Sequence, residues 1–116
     1  LNEYAADGVL VATPTGSTAY NLSAGGPVIA PAAKMMVLTP ICAHSLHARS
    51  IVLAPEDQVR IKVLNSGQVV SFDGDSSAEL EAGDFVEVCR YSMETVMVKL
   101  KQISFMQNLS NHLGRI

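Results

Sequence analysis

The sequence predicts a mainly β, β-sandwich-like domain with a short helix after its first strand and a second helix at its C-terminus. Three observations carry this expectation. Seven or eight short apolar segments recur between residues 8 and 100 at spacings of roughly 8 to 12 residues. Several alternate apolar with polar side chains, as half-buried strands do. Helix–strand alternation, the mark of a doubly wound parallel sheet, is absent.

The 116 residues suffice for one domain with a core, and 48% of them are hydrophobic, as in ordinary globular domains. No apolar run approaches the roughly 20 residues that span a bilayer, and no membrane association is expected. Net charge is −3 and the eight lysines and arginines form no run. Nucleic acid is therefore not an expected partner, because binding it requires clustered cations. Cys42 and Cys89 stand far apart without metal-type spacing, as free thiols do in a reducing compartment. The chain opens on Leu1 rather than methionine and is expected to be a piece of a longer protein.

Taken in order, residues 8 to 12 predict a buried strand. Residues 13 to 26, TPTGSTAYNLSAGG, predict a turn, a helix over about Gly16 to Ala24, and a glycine stop. Thr13 or Thr15 would cap that helix, with the Thr15 hydroxyl accepting from free N–H groups of its first turn. Gly25 and Gly26 supply a left-handed end and Pro27 blocks continuation. Met35 to Thr39 reads as a strand stopped by Pro40, and Ser50 to Ala54 as one stopped by Pro55. Val59, Ile61 and Val63 alternate with Arg60 and Lys62, giving one buried face and one wet face. Gln68 to Phe72 repeats the theme and ends in Asp73-Gly74-Asp75, a turn signal. Ser77 to Leu80, Asp84 to Arg90 and Glu94 to Leu100 complete the strands. Ser104 would cap a final helix with Phe105, Leu109 and Leu113 on one face and Gly114 near its stop.

The hydroxyl-rich stretch is the candidate site. A helix start offers unpaired N–H groups and a positive dipole end. Ser17, Thr18 and Ser23 suit ribose hydroxyls, phosphates or base edges, Gly16 admits close approach to the backbone, and Tyr20 offers a ring for stacking a base. The competing reading is a capped helix whose tyrosine packs on the sheet. Asn2 and Glu3 have the chemistry for a base edge and adjacent ribose hydroxyls, against a solvated terminus. Asp73 and Asp75 would hold a cation only if the strand continued through Gly74, which instead favours a turn. His44 and His47 lack a third ligand, and hydrogen-bonded histidines are the expectation. Cys42, beside Ile41, is expected in the core.

DGVLVATPTGSTAYNLSAGGPVIAP, LTPICAHSLHARSIVLAP and VSFDG, in this order, resemble the C-terminal domain of NAD kinase over nearly the whole chain, to the LGRI end. The resemblance implies transfer of the terminal phosphate of ATP, or of polyphosphate, to the adenosine-ribose 2′-hydroxyl of NAD, giving NADP. It implies a divalent cation, normally Mg²⁺, a cytoplasmic homodimer or homotetramer, and an active site shared with an N-terminal α/β domain. Residues 1–116 would form the β-rich dinucleotide-binding domain, its tail from about 104 to 116 packing on that other domain. Asn2 and Glu3 resemble the family's Asn-Glu pair for adenine and ribose. Asp7 resembles the aspartate of its Asp-Gly step, near the subunit contact. Thr15, Thr18, Ala19, Tyr20, Asn21, Leu22 and Ser23 match the block around the dinucleotide, with Tyr20 at the base. Asp73 and Asp75 match a later loop that approaches the ligand.

Three departures qualify the match. The Gly-Gly-Asp-Gly motif, whose aspartate activates the 2′-hydroxyl in the family, is absent, so this chain alone is expected to be inactive. Only Tyr4-Ala5-Ala6 separates Glu3 from Asp7, where the family has strands. Either a segment is missing there, or Asn2-Glu3 is not the family's pair. Ala5 stands where many members carry a basic residue. Two other classes remain: a non-catalytic NAD(P)-binding regulatory module, and a plain β-sandwich assembly domain.

Overall fold

The computed structural model describes residues 5–113. Asn2, Glu3 and Gly114 lie outside them. Among the described residues seven strands form, and the mainly β expectation holds, with a short helix after the first strand and one at the C-terminal end.

Strand β1 (Gly8–Ala12) pairs antiparallel with β2 (Met36–Ile41), and β2 pairs antiparallel with β3 (Ile51–Leu53), giving a sheet in the order β1-β2-β3. Proline was expected to end β2 after Thr39, yet β2 runs through Pro40. The pairing explains this. β3 faces only Met36 to Leu38, while Pro40 pairs with Val9 of β1. Pro40 thus sits where β2 has one partner strand, so its missing N–H breaks no ladder on the open side.

Strand β4 (Val59–Lys62) pairs with β7 (Phe85–Val88), and β5 (Gln68–Phe72) forms a hairpin with β6 (Ser76–Leu80). The hairpin turns at Asp73 (φ 52°) and Gly74 (φ 70°), closed by the Asp75 N–H donating to the Phe72 carbonyl at 3.1 Å. Two successive left-handed residues match the twist of paired strands. Arg60 donates to Glu87 directly across the β4–β7 pair and lies 4.9 Å over the Phe85 ring. The strand expected from Glu94 to Leu100 does not form. Val96, Val98 and Leu100 are exposed there, and none of the described strands pairs with this segment. A strand without a partner leaves its backbone groups unpaired, so apolar alternation alone does not make one.

Among the described residues the buried apolar side chains are Ile29, Met36, Val37 and Val63, two of them in β2. The radius of gyration, 15.6 Å, exceeds the roughly 13 Å of a compact domain of this length. Helix α2 (Phe105–Leu113) is capped as expected, the Ser104 hydroxyl accepting from the Gln107 N–H at 3.1 Å. Its Phe105 and Leu109 are half-buried and its Leu113 is exposed. Cys42, expected in the core, is exposed: β2 ends at Ile41 and the chain turns left-handed at Cys42 (φ 50°). Among the described residues no helix is long and apolar enough to cross a membrane.

Candidate functional site

Past β1 the chain does not form one helix over 16 to 24. It forms a 3-10 turn, Thr15–Thr18, then helix α1, Tyr20–Ser23, with Ala19 between them at φ −95°, ψ −127°. Thr13, not Thr15, caps the entry: its hydroxyl accepts from the Gly16 N–H at 3.2 Å. Gly25 (φ 86°) ends α1 as expected.

This segment has two faces, and the polar one is partly inside. Ser17 is fully buried, and Asn21, one turn later, is 1% exposed. The Ser17 hydroxyl donates to the Pro14 carbonyl at 2.6 Å and accepts from the Ile29 N–H at 2.9 Å. The Asn21 amide donates to the carbonyls of Ser17 at 3.0 Å and Pro27 at 2.9 Å. Its oxygen accepts from the Thr39 hydroxyl at 2.6 Å. Thr39, 1% exposed in β2, lies 3.0 Å from the Ser50 hydroxyl. No buried side-chain polar atom among the described residues lacks a partner.

Two assignments change as a result. Ser17 and Asn21 do not present their side chains to a ligand here, because burial and internal hydrogen bonds occupy both. Ser17 and Asn21 stand at i and i+4, a spacing that could have revealed a shared inner face. Thr39 and Ser50, members of the same network, carry no sequence signal beyond a polar residue in an apolar run.

The other face is open. Thr15, Thr18, Ala19, Tyr20 and Ser23 are exposed, and Leu22 is half-buried. Tyr20 is 62% exposed, so its ring does not pack on the sheet. Hydroxyls and an aromatic ring therefore line one outer surface on a buried polar frame, an arrangement able to hydrogen-bond sugar hydroxyls and stack a flat base.

Asp7 lies at the other end of β1 from Thr13, about 20 Å away at the rise of a strand. Its carboxylate meets the His44 ring at 3.2 Å, both side chains being largely exposed. His44 thus has a hydrogen-bond partner, as expected. Asp73 and Asp75 lie at the β5–β6 turn, and among the described residues no hydrogen bond or ion pair joins either to residues 13–23. Nor does any cluster of three His, Cys, Asp or Glu among them suit a metal ion. A separate recess is bordered by Pro55, Asp57, Cys89 and Tyr91 and includes no residue of 13–26.

With this geometry in hand, the comparisons with known proteins are specific. A family model described as the ATP-NAD kinase C-terminal domain matches residues 1–100. An NAD kinase of Agathobacter rectalis is 45% identical over 120 residues, covering 98% of this chain and 42% of that protein. An NAD kinase of Carboxydothermus hydrogenoformans is 44% identical over 111 residues, covering 94% of this chain and 40% of that protein. Among solved structures, yeast NADH kinase complexed with NADH superposes with a TM-score of 0.73 at 44% identity, over 77% of this chain and 26% of that one. An NAD kinase from Archaeoglobus fulgidus in complex with ATP gives a TM-score of 0.68 at 30% identity, over 75% and 34%. The chain thus spans about two fifths of the length of the curated relatives it matches.

Proposed function

Because this chain belongs to the ATP-NAD kinase family as its C-terminal domain, we propose that the whole protein phosphorylates NAD at the adenosine-ribose 2′-hydroxyl, using ATP or polyphosphate, to give NADP. This segment would hold the acceptor. The observation that carries the assignment to this surface is the exposed row Thr15, Thr18, Ala19, Tyr20 and Ser23, fixed on a buried polar frame. Tyr20 stacks the base, and the Thr18 and Ser23 hydroxyls bond the ribose. Asp7, Asp73 and Asp75 reach the ligand from other elements. The relatives solved with NADH and with ATP support these two ligand classes.

Phosphoryl transfer is largely positioning plus neutralisation of charge. This chain contributes the first by orienting the 2′-hydroxyl. The carboxylate that accepts its proton belongs to the Gly-Gly-Asp-Gly motif of the remaining protein, as does the surface for the tail around α2, so the segment alone would be inactive. Mg²⁺ supplies neutralisation of the donor phosphates. The described residues offer no carboxylate cluster for it, so we assign its binding to the donor and the other domain. The protein would work in the cytoplasm as a homodimer or homotetramer.

The test is production of NADP by the full-length protein from NAD, ATP and Mg²⁺, read by coupling to an NADP-specific dehydrogenase. NADP formation is the expected result. Binding of NAD without turnover would replace the kinase with a regulatory nucleotide-binding module, and neither binding nor turnover would overturn the reading.

A further inference from the structure

We propose that Asn21 and Thr39 are positioning residues for the dinucleotide, acting through Tyr20 and Thr18 without touching the ligand. This rests on the functional reading above and deepens it.

Helix α1 has four residues and no side-chain cap. One helical turn is not stable by its own hydrogen bonds, so something else must set its orientation. The inner face does so. Each buried side chain is the chain neighbour of an exposed one: Ser17 precedes Thr18, and Asn21 follows Tyr20. Holding the inner pair therefore fixes the direction in which the outer pair points.

The network has one internally consistent direction. The carbonyls of Ser17 and Pro27 only accept, so both Asn21 amide hydrogens go to them and its oxygen must face Thr39. That oxygen only accepts, so the Thr39 hydroxyl gives it its hydrogen. Ser50 must then donate to Thr39. The chain Ser50 to Thr39 to Asn21 ties the one-turn helix to β2, the central strand of its sheet and the site of buried Met36 and Val37. Thr39, 1% exposed, has no surface to offer a ligand.

The experiment is steady-state kinetics of the full-length protein, with the KM for NAD and for ATP measured separately. Removing the Thr39 hydroxyl with its shape kept, Thr39→Val, is expected to raise the KM for NAD roughly five- to tenfold, the worth of one buried hydrogen bond, with the KM for ATP within about twofold. Thr39→Ser, which keeps the hydroxyl, should restore most of the loss. Asn21→Ala should give the same selective effect, larger. An unchanged KM for NAD in Thr39→Val overturns the proposal, as does an equal rise in both KM values, which marks general loss of structure. Should these variants not fold, Ser50→Ala, removing only the outermost donor, carries the test. A selective rise of about two- to threefold supports the proposal and no rise overturns it. A wild-type protein that makes no NADP defeats the kinase reading and this inference with it. An active wild type matched by Thr39→Val defeats this inference alone.

Discussion

Gly26 and Asn21 are packed with no room for a side chain between them. The Gly26 N–H donates to the Asn21 carbonyl at 2.8 Å. A β-carbon on Gly26 would lie 2.7 Å from both Cγ and Nδ2 of Asn21 and closer still to Oδ1. Gly26 is needed for space, not for an unusual φ.

Its neighbour is glycine for the opposite reason. Gly25 has φ 86° with nothing within 4 Å of its missing β-carbon. Gly26→Ala is expected to destabilise the full-length protein by about 2 to 4 kcal/mol, from overpacking and the displaced Asn21 amide. Gly25→Ala should cost about 1 kcal/mol, the penalty of a left-handed β-carbon. Thermal or urea unfolding of the two variants checks the order; equal losses would contradict the packing argument.

Tyr20 separates binding from folding. Its ring is 62% exposed, so Tyr20→Ala should leave the melting temperature nearly unchanged. In the full-length protein it should weaken NAD by about 1 to 3 kcal/mol, by analogy with base–aromatic stacking. Calorimetric titration reads the difference, and unchanged affinity would remove Tyr20 from the site.

The cap on α2 can be tested apart from the site. Ser104→Ala removes the hydroxyl that accepts from the Gln107 N–H. A loss of about 1 kcal/mol is expected, seen as faster amide exchange over 105 to 108 with the KM for NAD unaltered.

Across β4 and β7, Arg60 bonds Glu87 through Nε and Nη2 and covers the Phe85 ring. Arg60→Lys keeps the charge and loses the fork and the flat contact. Both partners are more than half exposed, so the expected loss is at most about 1 kcal/mol. A larger loss on unfolding would show that this pair is shielded in the whole protein.

Particular elements show what was legible and why. Asp73-Gly74 marked the β5–β6 turn because left-handed backbone restricts residue choice locally. Ser104 marked the start of α2 because a cap is made within four residues. The strand expected at Glu94 to Leu100 failed because pairing depends on a distant edge. Pro40 was misjudged for the same reason: whether proline interrupts a ladder depends on which side its neighbour occupies. At the candidate site, the hydroxyl-rich composition singled out residues 13 to 26, yet it did not separate the buried Ser17 and Asn21 from the exposed Thr18 and Tyr20.

Taken by itself, the order of residues determined the turns, the caps, most of the strands and the family to which the chain belongs. These rest on local backbone preference and on side-chain periodicity, which neighbouring residues settle among themselves. Tertiary structure alone decided which hydroxyls and amides face inward. Ser17, Asn21 and Thr39 are polar, and nearby carbonyls satisfy only part of their hydrogen bonding; the Ile29 N–H and the Thr39 and Ser50 hydroxyls, 11 to 18 residues away, complete what their burial requires.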